Sequence, residues 1–164
     1  KDLVVTRGPG GALINYWETP VPAQRCVVHV IASGALDRFR KLKVMTAEAG
    51  ASWLPALGDR LDEAYRQHAR WMRPKLERSP SEILKAQVYS SFQHDETAVP
   101  TAVYSDYKNI LWGSDYPHLE GTFPHTQKVL HELFEGVPDQ VRHRVTLGAF
   151  EELFGVSMPK ALAA

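Results

Sequence analysis

Three short runs of strand-forming residues, each separated from the next by segments with helical spacing, limit this chain to a small set of folds. The runs are Leu42-Lys43-Val44-Met45-Thr46-Ala47, Gln87-Val88-Tyr89-Ser90-Ser91-Phe92 and Asn109-Ile110-Leu111-Trp112. Between the first two, Trp53, Leu54, Leu57, Leu61, Ala64 and Tyr65 recur on one face of a predicted helix that starts at Ser52 or Trp53. Ser79, Pro80 and Glu82 then form a capping box with proline at the first helical position, which opens a second, short helix. Glu96 to Tyr104 makes a further short helix despite Pro100. Strands that alternate with helices form right-handed βαβ units with parallel strands, so the predicted class is α/β with a parallel sheet.

A parallel sheet puts the carboxyl ends of its strands on one edge, where the chemistry of such folds sits. The first run is followed by Glu48, the second by Gln93-His94-Asp95, and the third stops at Gly113 and continues as Ser114-Asp115-Tyr116-Pro117-His118. Neighbouring strands lie ~4.8 Å apart. Glu48, His94 and Asp115 are therefore expected to converge on one metal or substrate. Asp115 suits a divalent cation or general-base duty, and His94 suits ligation or proton shuttling. His118, close to the same rim, is a candidate substrate contact. Plainer roles exist for each: a helix N-terminal acid at Glu48, a structural histidine at 94, a turn cap at Asp115.

The remaining segments read as support. Gly8-Pro9-Gly10-Gly11 marks residues 1–19 as irregular. Pro20 and Pro22 open a helix through about Ile31 that Gly34 ends, and residues 37–40 make one more turn. After the third strand, Glu120-Gly121-Thr122 is a turn, residues 123–134 are helical, Pro138 starts another helix, and residues 147–154 make a last one stopped by Gly155. Residues 156–164 read as a flexible tail.

Composition removes several classes of function. Nineteen basic and nineteen acidic residues balance, without the positive excess that accompanies nucleic-acid binding. No apolar run approaches the ~20 residues of a spanning helix. A single cysteine, Cys26, excludes an internal disulfide; it fits a reducing, cytoplasmic setting and a small core position. The four tryptophans, Trp17, Trp53, Trp71 and Trp112, read as packing residues. Arg70, Arg73, Lys75 and Arg78 read as a solvated basic loop or a cover for an anionic substrate. The chain opens on Lys1, not Met, which suggests that the natural protein begins earlier.

Three motifs in order carry a resemblance: Leu36-Asp37-Arg38-Phe39 with Lys41-Leu42-Lys43-Val44, then Glu48-Ala49-Gly50-Ala51-Ser52-Trp53-Leu54-Pro55, then Asn109-Ile110-Leu111-Trp112-Gly113-Ser114-Asp115-Tyr116-Pro117-His118. Together they resemble the carboxyl-terminal half of the amidohydrolase-related TIM-barrel proteins, the group that includes aminocarboxymuconate-semialdehyde and resorcylate decarboxylases. The resemblance implies a partial (β/α)8 barrel holding about strands six to eight, with residues 1–164 as the carboxyl-terminal part of one barrel domain. It implies that Asp115 is a metal ligand and proton acceptor, with Glu48 and His94 catalytic, and His118 and Tyr116 on the substrate. The metal implied is divalent, zinc above all.

The chain also departs from that pattern. Glu48 stands where the family commonly has a histidine, and no His-x-His pair is present. A full barrel takes about 250 residues. The expectation is a piece of a hydrolase or decarboxylase of small carboxylated or cyclic substrates, inactive when isolated, whose exposed sheet edge and inner face need the missing half or another copy. The alternative is a non-catalytic half barrel that binds a partner chain and no metal.

Overall fold

A computed structural model describes residues 5–159. Three strands form its sheet: β1 (Val44–Thr46), β2 (Val88–Phe92) and β3 (Ile110–Trp112). They lie in sequence order and all run parallel, with Val44 opposite Val88, Thr46 opposite Ser90, Ser90 opposite Ile110 and Phe92 opposite Trp112. The expected α/β class and parallel sheet are thus observed. Each predicted strand shortens at its ends, because flanking Leu42, Lys43, Ala47 and Gln87 extend beyond the ladder.

Helices fill the crossovers. Between β1 and β2 come α4 (Trp53–His68) and α5 (Pro80–Gln87); between β2 and β3 comes α6 (Ala98–Tyr104). The start of α5 follows its sequence signal in full. Ser79 Oγ accepts the Glu82 amide, and Glu82 returns a carboxylate to the Ser79 amide. Before β1 lie α1 (Gly11–Glu18), α2 (Val21–Ala32) and α3 (Ala35–Arg38), and after β3 comes α7 (Thr126–Leu133).

Two local expectations are corrected. Residues 11–18 are helical, not irregular. The glycines sit at the helix entrance instead of inside it: Gly10 takes φ 79° as the cap, and Asn15 on the helix accepts the amides of Val5 and Thr6 while donating to the Thr6 carbonyl. At the other end, the two helices expected after Pro138 are one continuous run. It comprises α8 (Asp139–His143), a π-helical stretch (Arg144–Gly148) and α9 (Ala149–Phe154), and Gly155 ends it at φ 64°. Arg144, at the start of the wide turn, donates to the Lys108 carbonyl and to Asn109 Oδ1, fastening the run to the start of β3.

The strands sort their side chains by the usual alternation. Val88 and Phe92 of β2, with Ile110, join the main core, where Val27, Ile31, Leu36, Leu54, Ile83 and Leu84 of the covering helices meet them. Tyr89 and Leu111 point the other way. The inner face expected to be bare is covered there, because Ala149 and Leu153 of α9 pack on both residues. Tyr89 is fully buried and donates to Glu152 Oε1 at 2.7 Å. Burial, with the Glu152 carboxylate beside it, pushes the phenol up to about 12. Met45, on the same face of β1, stays 37% exposed. No strand pairs with the outer edge of β1 or β3 among the described residues.

Other side chains also depart from expectation. Cys26 is exposed, because α2 buries Val27 and Ile31 and turns position 26 outward. Trp17 and Trp71 are exposed as well, at 69% and 77%, whereas Trp53 and Trp112 pack. Arg78 is no solvated loop cation: its guanidinium bonds Asp37 Oδ1 at 2.9 Å, the Leu36 carbonyl and Gln87 Oε1. Of the expected tail, residues 156–159 are irregular, and residues 160–164 lie outside the described residues.

Candidate metal centre

All three strands end on one rim, and the loops beyond them carry the candidate residues. Glu48 lies two residues past β1, Gln93 and His94 directly follow β2, and Asp115 lies three residues past β3. Glu48 and Asp115 thus stand on the two outer strands, with β2 between them. Strands that are not neighbours are ~9.6 Å apart, so both side chains must lean over the end of β2.

The backbone arranges this. Glu48 and Asp115 have φ of 56° and 57°, and among the described residues they alone take positive φ without being glycine. Aspartate visits this region fairly readily; glutamate does so rarely, and each instance costs of the order of 1 kcal/mol. Ser91 Oγ accepts the Glu48 amide at 3.2 Å and so ties the strained residue to β2.

The result is a cluster. Glu48, Asp115 and His118 each present one ligand atom, and these atoms lie within 4.8 Å of one another. The Asp115 carboxylate is only 7% exposed, and both of its oxygens are engaged: Oδ2 accepts from Gln93 Nε2 at 3.1 Å, and Oδ1 faces His118 Nδ1 at 3.0 Å. That hydrogen bond, then the Asp115 charge and the more distant carboxylates of Glu48 and Glu120, push the His118 imidazole above its ordinary 6.5.

His94 takes a different place. Its Nε2 meets the Glu120 carbonyl oxygen at 2.7 Å, so it holds the loop that carries Asp115 and His118. The triad named from the sequence therefore divides: Glu48 and Asp115 come together with His118, and His94 braces their loop from β2. Tyr116 is 66% exposed and packs edge-on against Phe123, with ring centroids 5.2 Å apart. Beside His94 an open cavity of about 520 Å³ is lined by Gln93, Val99, Leu133 and Val137, and none of the three clustered residues lines it.

Two residues that the sequence put on this rim take roles it did not assign. Gln93 fixes Asp115, and Asp95 holds the turn ahead of α4 by accepting the amides of Ala51 and Ser52. The available signal was the polar run at the end of β2, of which only the histidine carried an obvious chemistry.

The family model for amidohydrolases matches residues 20–156, which include the whole sheet and every clustered residue. The chain belongs to this amidohydrolase family. Solved structures show the same fold. An amidohydrolase from Mycobacterium avium subsp. paratuberculosis K-10 superposes with TM-score 0.75 at 21% identity, over 93% of this chain and 37% of that one. The 5-carboxyvanillate decarboxylase of Sphingomonas paucimobilis gives 0.66 at 22%, over 85% and 40%. A dihydroxybenzoic acid decarboxylase from Polaromonas sp. JS666, solved with bound manganese and the inhibitor 2-nitroresorcinol, gives 0.60 at 20%, over 89% and 42%. The chain thus spans about two fifths of the length of these three proteins. No curated protein matches it in sequence.

Proposed function

We propose that this chain is the carboxyl-terminal part, about strands six to eight, of a metal-dependent amidohydrolase-family barrel that hydrolyses or decarboxylates a small carboxylated or cyclic substrate. Domain extent 1–164 and a cytoplasmic setting belong to the same reading. What carries it is Asp115: a nearly buried carboxylate at a strand end, held by Gln93 on one oxygen and His118 on the other. Decarboxylases among the structural neighbours, one with bound manganese, give the reaction class its support.

The donor set fits a divalent metal, since carboxylates suit manganese and an imidazole suits zinc. When bound, such a metal polarises a carbonyl or a water. Asp115 would hold it and take a proton from the reacting group, with Gln93 keeping the carboxylate oriented. His118, hydrogen-bonded to Asp115, and Tyr116 would reach the substrate. Glu48, across the rim, would act as acid or base where relatives commonly use a histidine. His94, assigned catalytic from the sequence, would serve by steadying the loop at Glu120. The remaining metal ligands and the rest of the barrel would come from sequence before Lys1 or from another chain.

The test uses the longer natural protein. Stoichiometric metal that is lost on Asp115→Ala, together with turnover of carboxylated aromatics, supports the enzyme. A protein that assembles normally yet holds no metal would instead be the non-catalytic partner-binding half barrel.

A further inference from the structure

At the amino end of β3 a cavity of about 610 Å³ opens between α6 and the run from α8 into the π-helical stretch. Its size falls within the ~300–1,000 Å³ of small-molecule sites. We infer that it binds a small carboxylate with an apolar body, an aryl or short alkyl acid, whose charged end meets Lys108. The cavity stands apart from the candidate metal centre, because Glu48, Asp115 and His118 lie beyond the opposite ends of the strands and none of them lines it.

The lining separates an apolar floor from a cationic lip. Ala102, Tyr107, Ile110 and Val145 form the floor, each more than nine-tenths buried. Lys108, His143 and Arg144 face solvent at the opening, and no carboxylate lines it. Arg144 is already matched by Glu152, with Nη1 2.6 Å from Oε2. Lys108 has no carboxylate partner among the described residues. Its ammonium donates to the carbonyls of Ala102 and Ser105 at 3.3 and 2.7 Å. Those two bonds fix the charge beside the cavity and leave a third N–H to donate.

Gly148 is an independent sign that this space is kept open. Its φ of −62° and ψ of −34° are ordinary helical values that any residue adopts. A Cβ there would meet nothing nearer than Arg144 Cδ and His143 Nδ1, both at 3.6 Å. Glycine inside a helix is destabilising, and here neither the backbone nor a clash requires it. Its effect is to leave room: a side chain at 148 would stand among the lining residues and take up the cavity. Around it the helix widens into its π-helical stretch, a distortion frequent at functional sites.

The probe is 2-naphthoate, titrated into the longer natural protein while the methyl resonances of Ile110 and Val145 are followed by NMR. Both sets should shift and saturate. Lys108→Met keeps most of the side chain's length without its charge and should weaken binding about tenfold or more, as loss of a hydrogen bond to a charged group does. Lys108→Arg should restore most of it, and the neutral isostere naphthalene-2-carboxamide should bind more weakly than the acid. Lys108 is exposed, so its substitutions leave the core intact. Gly148→Leu should abolish the shifts, whereas Asp115→Ala should leave them unchanged. Methyls that stay still in the unaltered protein, or an affinity that both Lys108→Met and the carboxamide leave as it was, would rule the site out. Shifts lost in Asp115→Ala but kept in Gly148→Leu would place the binding at the rim and rule it out as well.

Discussion

Asp95 Oδ2 accepts the backbone amide of Ala51 at 3.0 Å, so a residue from the loop after β2 holds the turn that leads from β1 into α4. The same oxygen takes the Ser52 amide at 3.2 Å, and Thr97 donates to Oδ1. This cross-strand contact fixes the stretch between Glu48 and α4. Asp95→Ala should therefore cost about 1–3 kcal/mol, as loss of a carboxylate acceptor for backbone amides does. Chemical denaturation checks the stability.

Acid sensitivity follows from the same residue and from Asp37. Burial pushes the Asp95 carboxyl up, but its bonds from Thr97, Ala51 and Ser52 outweigh this and hold it below 3.8. Asp37 is also held below 3.8: burial raises it, and the Arg78 guanidinium with the Glu77 and Arg78 amides prevails. A depressed carboxyl favours the folded state fully above its unfolded value and ceases to do so as pH falls through the folded value. Stability should thus be flat in this contribution above pH ~4–5 and fall below that. In Asp95→Asn the acid slope should be shallower, as measured by urea midpoints taken from pH 2 to 6.

Arg78 is an anchor between segments. Its guanidinium joins Asp37, the Leu36 carbonyl and Gln87, while Gln87 Nε2 donates to the carbonyls of Phe39 and Leu42 just before β1. Arg78→Ala leaves the nearly buried Asp37 charge with Arg40 alone, at 3.6 Å, and should cost about 3 kcal/mol, the low end for breaking a buried pair. Thermal unfolding should drop by roughly 6–12 °C. Arg78→Lys should recover only part of this, since an ammonium cannot reach three acceptors in one plane.

Gly58 lies inside α4, where alanine would ordinarily add about 1 kcal/mol. A Cβ there would stand 2.0 Å from the hydroxyl of buried Tyr107 and 3.3 Å from Ser81 Cβ. Overpacking of this kind costs about 1–3 kcal/mol and reverses the sign. Gly58→Ala should lower the unfolding midpoint, and Gly58→Ala with Tyr107→Phe should regain much of the loss.

Gly121 closes the loop that carries Asp115 and His118. A Cβ at this position would meet the carbonyl oxygens of Asp115, Ser114 and His118 at 2.8, 2.9 and 3.0 Å. Backbone cannot yield as a side chain can, so Gly121→Ala should open the loop. Expected outcomes are a lower metal content in the longer natural protein and a modest loss of global stability.

The sequence carried the sheet well because periodicity and turn residues act locally: Gly113 stops β3, and Ser79-Pro80-Glu82 opens α5 where expected. It misjudged features that depend on distant partners. Asn15 makes a helix of a glycine-flanked segment by bonding residues ahead of it, and the π-helical stretch joins two predicted helices where Arg144 reaches the start of β3. At the rim, counting strand ends brought Glu48 and Asp115 into view together. It could not show that φ at both residues is positive, or that the ring of His94 faces the Glu120 carbonyl, leaving His118 as the nearer imidazole.

The packing of Ala149 and Leu153 on Tyr89 and Leu111 has a temporal side. Every strand leaves the ribosome before α9 does, at about 5–20 residues per second. For those seconds a greasy patch on the nascent sheet lacks the cover that α9 brings.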